Sequence, residues 1–454
     1  MFFQIVIGLI GLGIIIFIHE SGHFIAAKIN GIEVEVFSLG FGRKILGFKR
    51  GNTQYQISLI PFGGYCKLKG DEVLKNAAKT ELTEIPEEEG SFFSASPLKR
   101  IVVAFAGPLA NFVFAVVILS VIWWVGFSVY SSSNKIILAS DYFGYASNKI
   151  PPATKAGLKT GDVIISVDGR KIRNFQDLVE VVSTNPGKKL DFVVKRDGKV
   201  LTIPVMPELD KNTGSGRIGV YSWINPVVEK VLPGKGASLA GIRAGDIIVG
   251  VNGRRVENTL DIFKALKDKP GKVVLRVKRG TSVITIPVVV TYDESGNPDL
   301  GIYFKERMYR EGGKGIVYGF KRGVEETIDT MGMTLKGIVM LFRGINIHNT
   351  VAGPLRISYY LGEVTKSGFE LSLRAGIISF VRLLSLLSIV LVIMNLLPLP
   401  ALDGGQILLF VIEIVRRKRV SPKLIYRVQV IGFSFIIIVA VMITFSDILF
   451  FIGK

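Results

Sequence analysis

A chain of 454 residues that is 49% hydrophobic, with a mean hydropathy of +0.43, is too apolar for an ordinary soluble protein and fits several membrane spans joined to soluble modules. Its net charge of +19 (56 basic less 37 acidic residues) suits loops held at the cytoplasmic face against anionic lipid; with no nucleic-acid motif present, nucleic acid is left out as a partner. One cysteine, Cys66, excludes an intramolecular disulfide and reads as a reduced, structural thiol near the cytoplasmic side.

The first apolar stretch, residues 1–28, reads as a membrane span and not as a cleavable leader, because it lacks a basic n-region and a small-residue cleavage site. It carries His19-Glu20-Ser21-Gly22-His23, an H-E-x-x-H pattern holding two of the three histidines. Residues four apart share one helix face, so both imidazoles can reach one Zn²⁺, with Glu20 beside them to take a proton from a water. Ionisable groups at membrane depth are costly, which makes them functional candidates. The bland reading is a span with a few polar residues facing its neighbours.

Residues 33–70 alternate as strands, Thr53–Ile60 most clearly, with turns at Gly40-Phe41-Gly42 and Pro61-Phe62-Gly63-Gly64. They predict a membrane-associated β-hairpin, either dipping into a protein-lined cavity or lying plainly in the cytoplasm. The polar, acidic stretch 71–96 reads as a solvated cytoplasmic loop. Residues 99–128 form the second expected span, with Trp123 and Trp124 suited to an interfacial belt. Its Asn111 either packs against the first span or lines the site.

An internal repeat follows. Ala156-Gly157-Leu158-Lys159-Thr160-Gly161-Asp162-Val163-Ile164 recurs as Ala240-Gly241-Ile242-Arg243-Ala244-Gly245-Asp246-Ile247-Ile248. Each copy reads as short strands, a Gly-Asp turn, one helix and two more strands. The pattern resembles tandem PDZ domains of the circularly permuted bacterial type, at 130–210 and 215–292. Such grooves take an extended peptide as an added strand, with Arg217-Ile218-Gly219-Val220 expected as the groove loop of the second copy and no clear equivalent in the first. The other reading is a pair of spacers shielding the membrane core.

Residues 300–370 predict amphipathic interfacial helices, and His348 reads as a solvated loop residue. The third span, 374–412, is interrupted by Asn395-Leu396-Leu397-Pro398-Leu399-Pro400-Ala401-Leu402-Asp403-Gly404-Gly405, whose prolines break the helix at membrane depth. Asp403 is the carboxylate there, and it reads as a third metal ligand or as a helix cap. Arg416-Arg417-Lys418-Arg419 is a cytoplasmic anchor before the fourth span, 429–452. The fold class is thus a multi-pass α-helical membrane protein of about four spans, with a membrane-associated β-hairpin and two β-rich PDZ domains.

Taken together, the HExxH, the Ala106-Gly107-Pro108-Leu109-Ala110-Asn111 stretch, the tandem repeat and the Asn395–Gly405 motif resemble the site-2 protease family, in its bacterial RseP-type form. The resemblance implies an intramembrane zinc metalloendopeptidase of the inner membrane with its PDZ domains on the periplasmic side. It implies His19, His23 and Asp403 as metal ligands, Glu20 as the catalytic base, and Asn395 and Pro400 near the substrate strand. It further implies substrates that are single-pass membrane proteins pre-cut by another protease, such as anti-sigma factors, or remnant signal peptides. The competing class is a non-enzymatic membrane scaffold; loss of His19, Glu20 or Asp403 would have favoured it, and all three are present. A transporter would usually show more spans and repeat symmetry within the membrane part.

Overall fold

The computed structural model describes residues 2–70, 72, 76, 87–142, 150–211, 213–292, 296–341 and 353–452. They fall into two units, Met1–Phe127 with Glu311–Lys454, and Ser128–Arg310. Most of residues 71–86 of the expected loop 71–96, and His348, lie outside the described residues.

The first unit runs in the order α1 (Phe2–Ile29), β1 (Val34–Arg50), β2 (Thr53–Leu68), α2 (Pro97–Val125), α3 (Ile316–Leu341), α4 (Pro354–Leu371), α5 (Leu373–Leu396), α6 (Asp403–Arg416) and α7 (Pro422–Ile452). Among the described residues, four helices are long and apolar enough to cross a membrane: α1, α2, α5 and α7. Helix α2 stops three residues short of the expected 128, because Gly126 takes φ +75° and Phe127 begins a strand. Helix α7 starts seven residues before the expected 429; Lys423 and Arg427 in its first turns look like loop to a hydropathy reading.

Small residues set the helix spacing. A Cβ on Gly22 of α1 would lie 2.2 Å from the Ala106 carbonyl oxygen of α2, and one on Gly8 would lie 2.3 Å from the Ser358 carbonyl oxygen of α4. Backbones this close gain van der Waals contact without a hydrophobic drive, which lipid does not supply. Ile15, Leu361 and Leu384 fill the space where α1, α4 and α5 meet.

The 33–70 stretch is more than a hairpin. Both strands bend, and Leu39 pairs with Gly64 on one side and with Ile57 on the other. The result is a curled antiparallel sheet with segments in the order 44–50, 53–58, 34–39, 64–68. Gly40, Gly42 and Gly63, at φ +88°, +86° and +135°, supply the bends. The segment 64–68 is an edge. The solvated-loop reading of 71–96 fails at its far end: Phe92 and Phe93 are 4% and 3% exposed and pack with Ala27, Val34 and Phe410.

The second unit holds two modules of one topology. The first is a sheet in the order Arg170–Lys171, Val163–Val167, Leu190–Arg196, Lys199–Val205, with helix Phe175–Ser183. The second is Arg254–Arg255, Ile247–Val251, Lys272–Arg279, Ser282–Val289, with helix Thr259–Ala265. Equivalent side chains fill the two cores, Ile164 and Leu178 in one, Ile248 and Ile262 in the other. The Gly-Asp motif has a structural reason. Buried Asp162 accepts from the Lys159 backbone and from Arg196, whose guanidinium also donates to the Gly157 carbonyl; Asp246, Arg243, Arg279 and Gly241 repeat the set.

The module boundaries differ from the expected 130–210 and 215–292. Val220–Ser222 pairs with Ile136–Leu138, and Ile218 is buried in the first core. The groove loop assigned to the second copy therefore belongs to the first. The second copy closes with Leu300-Gly301-Ile302, whose strand Ile302–Phe304 pairs with Val228–Val231. The start of the expected helical region 300–370 is thus strand. In a permuted module the closing strand comes last, so adjacency in sequence points to the wrong copy.

Candidate metal centre

Helix α1 places His19 and His23 one turn apart, with ring centroids 4.8 Å apart and their Nε2 atoms 3.2 Å apart. Asp403 arrives from the opposite end of the chain. Helix α5 ends at Leu396, the chain passes Pro398 and Pro400, Ala401 takes φ +72°, and α6 begins at Asp403. Glycine is needed in this return: a Cβ on Gly404 would lie 2.3 Å from the Leu396 carbonyl oxygen, and one on Gly405 would lie 2.2 Å from that of Leu399. Asp403 Oδ2 ends 3.2 Å from His19 Nε2 and 3.5 Å from His23 Nε2. One donor atom from each residue lies within 4.8 Å of the other two. The helix-cap reading of Asp403 is not met, since Leu402 is the N-cap and no side-chain cap bond forms.

These residues fit a metal ion. Asp403 Oδ2 is buried and has no hydrogen-bond partner among the described residues. Two imidazole nitrogens and a carboxylate oxygen facing one point repel unless a cation or protons lie between them, and two His with one carboxylate is a donor set of catalytic zinc. The back of each ring is also arranged. His23 Nδ1–H donates to the Val103 carbonyl at 2.8 Å, which leaves Nε2 as the free lone pair. His19 Nδ1 lies 3.4 Å from the Asn111 amide, whose Oδ1 is buried and unpartnered. Turning that amide end for end gives His19 Nδ1–H its acceptor. Gly107 makes room: a Cβ there would lie 2.3 Å from His23 Nε2 and 2.9 Å from His19 Cε1.

A cavity of about 500 Å³ opens onto the three donors, lined also by Glu20, Asn395 and the sheet edge Gly63–Cys66. The Glu20 carboxylate accepts a hydrogen bond from the Cys66 backbone, and Gly64 comes close enough that a Cβ would touch Glu20 Cγ at 3.6 Å. Asn395 Nδ2 is 3.5 Å from His19 Nε2. Pro400 is elsewhere: its carbonyl faces Gly432 of α7, and it is not among the cavity-lining residues. Of the expected site residues, His19, Glu20, His23, Asn395 and Asp403 therefore meet and Pro400 does not. Sequence reasoning did not reach the Val103 carbonyl or the reason for Gly107; a glycine inside an apolar helix was the available signal.

A helical unit with four candidate membrane spans that sets a His-Glu-x-x-His helix against a carboxylate from a broken helix has the donor set of a metallopeptidase. The chain belongs to peptidase family M50, the site-2 protease family, whose model matches residues 7–439. It is 36% identical over 448 residues to a Treponema pallidum protein named "Putative zinc metalloprotease", covering 98% of this chain and 99% of that one. It is 31% identical to a Borreliella burgdorferi protein of the same name, covering 95% of each. It is 29% identical to "Protease RseP" of Yersinia pestis, covering 91% of each. A solved PDZ domain of an SdrC-like protein from Listeria monocytogenes aligns with 18% of this chain and 90% of its own, at 21% identity and a TM-score of 0.17.

Proposed function

We propose that this chain is an intramembrane zinc endopeptidase that cuts the transmembrane segments of single-pass proteins in regulated intramembrane proteolysis. The observation that carries this is the unpartnered Asp403 oxygen facing two histidine nitrogens inside a four-span unit. His19, His23 and Asp403 hold the metal. Zinc, when bound there, supplies Lewis acidity to the scissile carbonyl and to the attacking water. Glu20 takes the water proton and delivers it to the leaving amine. Asn395 steadies freed backbone groups of the substrate; the position of Pro400 supports a role in holding the broken segment against α7 instead of in contact with substrate.

A substrate helix hides its peptide groups in its own hydrogen bonds, so it must unwind before cleavage. The edge 64–68 runs along the cavity and can take an extended chain as an added strand. Arg43, Lys44, Lys49, Arg50 and the Arg416–Arg419 run support the cytoplasmic side for the sheet and the start of α7. With that orientation the tandem modules lie outside a bacterial inner membrane. The loops at Gly219 and Gly301 support a peptide groove in each, and the pair screens out substrates not yet trimmed by another protease. Anti-sigma factors and remnant signal peptides are the substrate classes the family suggests.

The test is cleavage of a membrane-inserted single-pass substrate in detergent by the intact chain and by Glu20→Gln. The intact chain should cut and a chelator should stop it, while Glu20→Gln should be inactive with its zinc retained. Equal cleavage by both proteins would sink the proposal.

A further inference from the structure

Three metal donors on two separate helices need a common reference, and α2 provides it. Along one face of α2, at spacings of three or four residues, lie Arg100, Val103, Gly107 and Asn111. Val103 and Asn111 meet the two histidine rings, and Gly107 admits both. Arg100 is 1% exposed and is ion-paired to Glu413, 4% exposed, on α6. Helix α6 begins with Asp403, ten residues and roughly 15 Å of helix before Glu413.

The pair is tied to backbone at both ends. Arg100 donates from Nη2 to Glu413 Oε2 and from Nε to the Ala95 carbonyl at 3.2 Å. Glu413 Oε1 accepts from the Val420 backbone at 2.9 Å, which also ties down the turn after α6. The guanidinium lies 4.5 Å from the ring centroid of Phe410, which itself packs on Phe92. Phe410 is seven residues from Asp403 and lies almost directly below it on α6. A buried pair adds little net stability over apolar side chains of similar size, but its geometry is narrow.

We propose that Arg100 and Glu413 are positioning residues for the metal centre, which register α6 on α2 and so hold Asp403 at the distance the histidines require. The inference rests on the metal-centre reading above. The test uses the full chain in detergent and compares wild type, His19→Ala and the double variant Arg100→Met with Glu413→Leu. Zinc affinity is read by chelator competition, the absorption spectrum by cobalt substitution, and the fold by the melting midpoint of the metal-free protein. The double variant should melt like the wild type, yet bind zinc at least ~10-fold more weakly and show an altered cobalt spectrum. If that variant does not fold, Glu413→Gln keeps the shape, and the altered cobalt spectrum is expected there. Unchanged zinc affinity and cobalt spectrum in a folded variant overturn the positioning role alone. A wild-type chain that binds no zinc, or binds it as well as His19→Ala does, overturns the metal-centre reading and this inference with it.

Discussion

The aspartates of the two tandem modules and Asp403 of the membrane unit are treated in opposite ways. In the tandem modules Asp162 and Asp246 are 0% and 1% exposed, and every oxygen is occupied: a guanidinium from Arg196 or Arg279 spans both, and a backbone N–H joins. In the membrane unit Asp403 Oδ2 has no hydrogen-bond partner among the described residues and faces two histidine nitrogens. A satisfied buried charge closes a turn. An unsatisfied one marks the place where a ligand completes the structure.

The comparison can be broken at either end. The largest effect is expected at Gly107. Gly107→Ala puts a Cβ 2.3 Å from His23 Nε2, so zinc affinity should fall about 10- to 100-fold while the protein still folds, as read by chelator competition. Unchanged affinity would mean that α2 does not shape the site. Asn111→Leu keeps the volume and removes the acceptor behind His19; about a 10-fold loss of zinc affinity is expected, measured the same way. Asp246→Asn should leave zinc binding untouched and lower the stability of the second unit by about 1–3 kcal/mol, read in denaturant melts.

The smallest effect is a pH dependence. Arg279 beside Asp246 holds its carboxyl below the ordinary carboxylate value. The folded second module therefore binds fewer protons than its unfolded chain at mildly acid pH. The stabilisation is complete at neutral pH and is lost as pH falls below about 4 through the depressed folded value. Arg279→Met should flatten the acid limb of a stability–pH curve; an unchanged slope would remove the pair from the account.

Much of this was open to reading in the chain itself. The HExxH, the broken third span and the repeated Gly-Asp turns are local patterns, in which a few neighbouring residues carry the whole chemical requirement. What stayed hidden depends on distant pairing. The fold-back that makes the 33–70 stretch a four-segment sheet needs Leu39 to pair on both sides, which alternation along one strand cannot reveal. The closing strand of each module lies beyond its own repeat, so Arg217–Val220 looked like part of the wrong copy. Phe92 and Phe93 were masked by the acid run before them. Nothing near Arg100 in the sequence announces a partner more than three hundred residues away at Glu413.

The account turns on the zinc content of three purified proteins: the wild type, Asp403→Asn and Asp246→Asn. It predicts one zinc per chain in the wild type and in Asp246→Asn, and a loss of zinc in Asp403→Asn. Equal zinc in the wild type and Asp403→Asn would contradict it, because the orphaned carboxylate would then not be a ligand.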